Sequence, residues 1–152
     1  MKKVFLLWIV GALMLMPGCL TLDLDPGISG NGNVVSETVD VKNFTGIHTS
    51  SGVDVILQQS PEYHVEIEAD ENLMEVITVE VRGDVLHIGS ERSIRRARSR
   101  KVHVSLPELE KIKISSAGDV KATTPFNVDD LEIRISSAGD MDLEVEAGHI
   151  DL

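Results

Sequence analysis

The hexapeptide ISSAGD stands at 114–119 and again, unchanged, at 135–140, and a looser relative, SSGVD, stands at 50–54. The 21-residue offset reaches past the hexapeptide, carrying Ile112 onto Ile133, Ile114 onto Ile135 and Val120 onto Met141. A strand, a tight corner, a second strand and a longer return thus recur as a unit. Periods near 20 residues belong to solenoids, in which one coil cannot bury its own apolar face and stacks on the next. Each letter of the corner has a structural use. Gly118 and Gly139 are expected at positive φ, where a Cβ would clash. Ser115, Ser116, Ser136 and Ser137 are expected to hydrogen-bond the bent backbone, and Asp119 and Asp140 to accept backbone N–H groups at the exit. Small Ala117 and Ala138 are expected to let coils approach closely.

The flanking sequence alternates with period two. Val53, Val55 and Leu57; Val65 and Ile67; Val102, Val104 and Leu106; Leu131, Ile133 and Ile135; and Met141, Leu143 and Val145 are each interleaved with other, mostly polar residues. That pattern predicts half-buried strands. Aromatics make up only 3% of the chain, so the core must come from aliphatic residues, whose β-branched members favour strands. The best helical candidate is one short stretch, DENLMEVI at 70–77, with Asp70 as its cap. The expected fold is all-β: a β-helix-like solenoid with Ser-Gly-Asp corner repeats, preceded by a more irregular β region.

The first 33 residues read differently. MKK precedes a 13-residue apolar run at 4–16, short for a membrane span and of signal-peptide length. Pro17-Gly18-Cys19 follows, and Cys19 is the only cysteine, so an internal disulfide is excluded. A small residue directly before a cysteine at this point resembles the lipobox of bacterial lipoproteins, with Met16 where leucine is usual. The resemblance implies cleavage after residue 18 and a lipid on Cys19; an ordinary cleaved signal and an uncleaved anchor are the alternatives. Leu20, rather than aspartate, follows the cysteine, which by enteric sorting rules implies the outer membrane. The Gly- and Asp-containing stretch to residue 33 is expected to be a flexible tether, leaving 34–152 as the folded domain.

FTGIHTSSGVDVILQQS (44–60), YHVEIEAD (63–70), NLMEVITVEVRGDVLHI (72–88), KVHVSLPELEKIKISSAGDV (101–120) and LEIRISSAGDM (131–141) resemble, in this order, the bacterial exported domain called the auto-transporter adhesin head, or GIN, domain. The resemblance covers about 34–152 and implies strands that finish in Ser-Gly-Asp coils. It brings no catalytic residues. Family members run on through further coils, so the domain is expected to be incomplete at its C-terminal end.

The remaining chemistry is sparse. Arg92, Arg95, Arg96, Arg98, Arg100 and Lys101 put six cations into ten residues of a chain whose net charge is −11. The run reads as a loop, either solvated or serving as an anion site for acidic glycans, phosphates or a partner's carboxylates, which guanidinium forks suit. The net negative charge repels nucleic acid. His48, His64, His87, His103 and His149 are scattered, and no pair has zinc-protease or zinc-finger spacing, so no metal or other cofactor is expected. The Gly-Asp corners lack the nine-residue period of Ca²⁺-binding rolls. No Gly-x-Ser-x-Gly elbow occurs, and carboxylate pairs such as Asp129-Asp130 or Asp140 with Asp142 are what strand edges ordinarily carry. A non-catalytic, adhesin-like envelope lipoprotein that binds a glycan or an envelope protein is the expected function. The basic run and outward side chains such as Glu132, Arg134, Asp142 and Glu144 are the expected contacts. The alternatives are a structural or regulatory envelope protein that self-associates through its coil end, and a polysaccharide-cleaving enzyme. Labelled fatty acid should enter the wild-type protein and be lost in Cys19→Ala; equal labelling of both would refute lipidation at this residue.

Overall fold

A computed structural model describes residues 26–136 and 138–152. The expected signal peptide, Cys19 and Ser137 lie outside the described residues.

The described residues form strands and turns throughout. Sheet one contains β3 (Gly46–Thr49), β6 (Ile77–Arg82), β7 (Val85–Ser90), β10 (Lys111–Ile114), β12 (Phe126–Ile135) and β14 (Val145–Asp151), in the order β14-β12-β10-β3-β7-β6. Sheet two contains β2 (Val34–Thr38), β4 (Asp54–Gln59), β5 (His64–Asp70), β9 (Arg100–Leu106), β11 (Val120–Ala122) and β13 (Met141–Asp142), in the order β13-β11-β4-β9-β5-β2. Neither sheet closes. A small third pair joins β1 (Ile28–Ser29) to β8 (Ile94–Arg96) in parallel.

The 21-residue offset is a strand register. Ile112 lies opposite Ile133, Ile114 opposite Ile135, and Val120 opposite Met141, all in parallel. The earlier strands continue the same rows: Ile112 faces Ile47, which faces Leu86, while Val120 faces Val55, which faces Val102. The rows are buried, from Leu86, Ile47 and Ile112 in sheet one to Val55, Val102 and Val120 in sheet two, and both belong to one hydrophobic core. Alternation works because successive side chains on a strand point to opposite faces. The first half of the chain is therefore not a separate region; its strands lie in the same two sheets as the repeats.

Each corner carries the chain from sheet one to sheet two. The stretch between β3 and β4 contains SSGV, and the two ISSAGD copies link β10 to β11 and β12 to β13. The corners lie on one another. Asp119 N–H donates to Asp54 Oδ1 at 3.1 Å, and Asp140 N–H donates to Asp119 Oδ1 at 3.1 Å. The main chain runs the same ladder, with Val55 N–H on the Asp119 carbonyl and Val120 N–H on the Asp140 carbonyl. The glycines serve close approach rather than positive φ, correcting the expectation for Gly118 and Gly139. A Cβ on Gly118 would collide with the Val53 carbonyl oxygen, and one on Gly139 would stand 2.5 Å from the Gly118 carbonyl oxygen. The left-handed positions fall instead at Ser51 (φ 60°) and Gly52 (φ 70°). Gly118, not Ala117, is the buried small residue of its corner.

Three further expectations change. The stretch 70–77 makes one 3₁₀ turn, Glu71–Leu73, and Asp70 makes no side-chain cap on it. Residues 26–33 are not a free tether, since Ile28 N–H donates to the Ser93 carbonyl and Gly30 N–H to the Arg96 carbonyl. Ile135 is 45% exposed, and Met141, Leu143 and Val145 are only half-buried. These residues sit toward the β14 side, where rows have fewer neighbours to cover them.

Gly118→Ala should cost at least about 2 kcal/mol in chemical denaturation, because the obstacle is backbone and cannot swing away. Ala117→Gly, at an exposed corner position, should stay within about 0.5 kcal/mol. Equal stability of the two variants would refute the close-approach account.

Candidate functional site: a serine and arginine recess beside the corners

The basic run is a further corner of the same stack, next to the SSGV corner. It joins β7 to β9, the neighbours of β3 and β4, and so performs the same passage from sheet one to sheet two as SSGV and ISSAGD. It is longer, and it contains β8 where a simple loop was expected.

This placement disperses the six cations. Arg95 lies on the N-terminal segment, donating to the Pro26 carbonyl at 3.4 Å with its stem against Gly27. Lys101 stands 4.0 Å from Glu68, which also meets His103 at 3.2 Å. Arg96 and Arg98 are exposed. Arg92 and Arg100 alone of the six line a 380 Å³ recess, together with Ser51, Gly52, Ser90, Ser116 and one acidic residue, Glu91. The recess unites part of the basic run with two serine corners, which the sequence separates by up to 65 residues.

Its walls are built by the stack. Ser116 Oγ accepts the Gly52 N–H at 2.8 Å, locking the second corner onto the first. Ser51 Oγ donates to the Ser90 carbonyl at 3.3 Å, and Ser90 Oγ to the Arg92 carbonyl at 2.7 Å. Arg100 occupies an inward-facing position at the start of β9 and is half-buried; its Nη1 donates to the Ile94 carbonyl at 3.3 Å. Its guanidinium lies over Gly52, where a Cβ would stand 3.5 Å from Nη1. A guanidinium has five N–H donors, so one bond leaves capacity for an incoming oxyanion. Ser115 turns away from the recess, placing Oγ 2.8 Å from His48 Nε2.

Asp70 was not legible as a site residue, yet it holds this region together. Its side chain is 1% exposed. Oδ1 accepts the N–H groups of Arg98 and Ser99 at 3.0 Å each, and Oδ2 accepts the Gly32 N–H at 2.9 Å. One carboxylate thus ties the N-terminal segment and the basic corner to the end of β5. Burial pushes its pKa up, but the bonds from Ser99, Gly32 and Arg98, with the Arg98 charge, outweigh burial and leave it lowered.

A larger groove of 690 Å³ lies toward the β14 side and is acidic, lined by Asp84, Glu108, Asp129, Asp130, Glu132 and Asp151. Burial parity along β12 shifts between Val128 and Leu131, so Asp129 and Asp130 both face outward there. The outward charges expected as contacts engage one another: Glu132 pairs with Lys111 at 3.3 Å and with Arg134, and Asp142 lies 3.8 Å from Lys121.

An all-β chain with stacked serine corners defines a class, and the sequence comparison supplies the family. The chain belongs to the family described as putative auto-transporter adhesin, head GIN domain, whose model matches residues 43–152. Among solved structures it is similar to a putative adhesin from Bacteroides fragilis, with 22% identity, a TM-score of 0.73, and coverage of 80% of this chain and 58% of that one. It is also similar to a putative lipid binding protein from Parabacteroides distasonis, with 22% identity, a TM-score of 0.69, and coverage of 79% and 53%. A putative adhesin from Parabacteroides merdae gives 23% identity, a TM-score of 0.64, and coverage of 78% and 55%. At these identities the likeness is one of fold, and the chain spans a little over half the length of each. No curated protein matches the chain.

Asp70→Asn should destabilise the protein by about 1–3 kcal/mol at neutral pH, since three N–H groups, that of Ser99 buried and those of Gly32 and Arg98 partly so, lose a charged acceptor. Because the folded pKa lies below the unfolded value, the wild type's advantage is fully present above the usual aspartate range. It should fade as pH falls through the folded pKa. A stability difference that persists unchanged in strong acid would contradict this role.

Proposed function

We propose that the protein is an exported, lipid-anchored envelope protein whose domain binds acidic glycan through the recess at Arg92 and Arg100 and performs no catalysis. Family membership supports an adhesin-like role. The observation that carries the ligand class is the convergence of two arginines and the serines of stacked corners on one concave surface. Guanidinium forks match planar carboxylates and tetrahedral sulfate or phosphate, while serine hydroxyls can donate to and accept from sugar hydroxyls. The acidic groove repels such ligands and biases them toward the recess. In this reading the repeated corners are the first coils of a β-helix-like solenoid, whose regular edge supplies a rigid wall for the site. Anchoring through Cys19 at the outer membrane would hold the domain next to envelope polymers.

Immobilised uronic-acid and sulfated polysaccharides should retain the purified protein, with binding that weakens as salt rises. Arg92→Ser combined with Arg100→Ser should reduce retention at least tenfold, whereas Arg95→Ser combined with Arg96→Ser should change it little. Arg92→Ser alone, at an exposed position, separates binding from folding. Absence of binding to every anionic polymer, or equal retention by both double variants, would refute the proposal.

A further inference from the structure

The outward face of sheet one carries a row of titratable side chains that lies away from the recess, and its two histidines take no part in the recess. Cross-strand neighbours place Glu80 opposite His87, His87 opposite His48, His48 opposite Lys113, and Lys113 opposite Arg134. At its centre the two histidines meet. Their Nδ1 atoms are 3.3 Å apart, and the rings are edge-on, with centroids 5.1 Å apart and planes at 70°.

Ser115 Oγ lies 2.8 Å from His48 Nε2 and so holds the ring from its far side. In the tautomer with the hydrogen on Nε2, Ser115 accepts it and Nδ1 presents its lone pair toward His87. A fixed outer partner on one ring nitrogen is how proteins orient metal-ligating histidines. The spacing fits as well. Two nitrogens at 2.0–2.1 Å from one tetrahedral ion stand roughly 3.3–3.4 Å apart.

We propose that His48 and His87 form a two-imidazole site for a divalent transition-metal ion of the Cu²⁺, Ni²⁺ or Zn²⁺ class, bound through both Nδ1 atoms. Ser115 holds the His48 ring, and water completes the coordination. Among the described residues no group of three His, Cys, Asp or Glu side chains is placed to hold a metal, so the protein supplies two ligands. Imidazole suits these three ions, with Cu²⁺ bound most tightly. Metal binding needs neutral rings. Burial, the Lys113 charge and His87 hold the His48 pKa below its ordinary value. Lys113 also repels the incoming cation, but it is exposed and screened; Glu80 on the far side of His87 is paired with Arg82. The parallel register sets His48 directly against His87, and β3 and β7 lie inside sheet one rather than at its edges, so the pair is preorganised.

Calorimetric titration of the purified protein with Cu²⁺ in chelator-free buffer should show one site per chain, with a spin-resonance spectrum reporting two imidazole nitrogens. His87→Gln and His48→Gln should each weaken that site at least tenfold, Ser115→Ala should weaken it less, and His103→Ala should leave it unchanged. Lys113→Gln, which removes a like charge without touching a ligand, should tighten binding several-fold in a protein that folds normally. Failure to bind Cu²⁺, a spectrum with a single imidazole nitrogen, or binding indifferent to His48→Gln and His87→Gln would overturn the proposal. The last two results would leave the contact as an ordinary hydrogen bond between the rings.

Discussion

The structure depends on how closely one corner can lie on the next. Parallel strands in register require the corners that link them to stack at the inter-strand spacing of about 4.8 Å, and any side chain pointing along the stack obstructs this. Gly118 and Gly139 remove the obstruction, each lying against the backbone of the preceding corner. Asp54 and Asp119 then fasten the layers by accepting the next aspartate's N–H. Once the corners stack, the rows behind them are determined: Leu86, Ile47, Ile112 and Ile133 in one sheet, and Val102, Val55, Val120 and Met141 in the other.

The same stack positions the proposed binding surface. The segment between β7 and β9 is flanked on its far side not by another serine corner but by the 71–76 link from β5 to β6, whose Val76 carbonyl accepts the Glu91 N–H, and it is there that the chain departs from the serine pattern and inserts arginines. Such a corner needs independent support. Asp70 provides it from below, and the β1–β8 pair from the side. Arg95 and Arg98 belong to that support, which leaves Arg92 and Arg100 beside the serines. The division of labour within one basic run follows from which residues face the strap and which face the corners.

What was legible in the sequence is what repeats or alternates. The offset between the two ISSAGD copies reads as register because parallel stacking copies geometry, and the inward residues from Val53 to Val104 read from period two alone. The family also followed from the order of these pieces. Contacts between dissimilar, distant segments were hidden. Asp70 looked like a helix cap because a carboxylate before Glu-Asn-Leu fits that role locally, and nothing nearby announces its bonds to Gly32, Arg98 and Ser99. Residues 26–33 looked like a tether because two-residue strands carry no period. His48 and His87 are 39 positions apart, so no spacing rule pairs them; aligning the two strands by their buried Ile47 and Leu86 would have done so. Glycine was read for its torsional freedom, when what mattered was its missing Cβ.

In the proposed function, stacked corners and the basic corner together form one anion-binding surface. The most direct measurement is a nuclear magnetic resonance titration of the isotope-labelled protein with a uronic-acid oligosaccharide, following backbone amides and arginine side-chain signals. Shifts should concentrate at Gly52, Arg92, Arg100, Ser116 and Ala117, with Asp129 and Asp130 unmoved. Shifts confined to the acidic groove, or none at Gly52, Arg100 and Ser116 at saturating ligand, would contradict the proposed function.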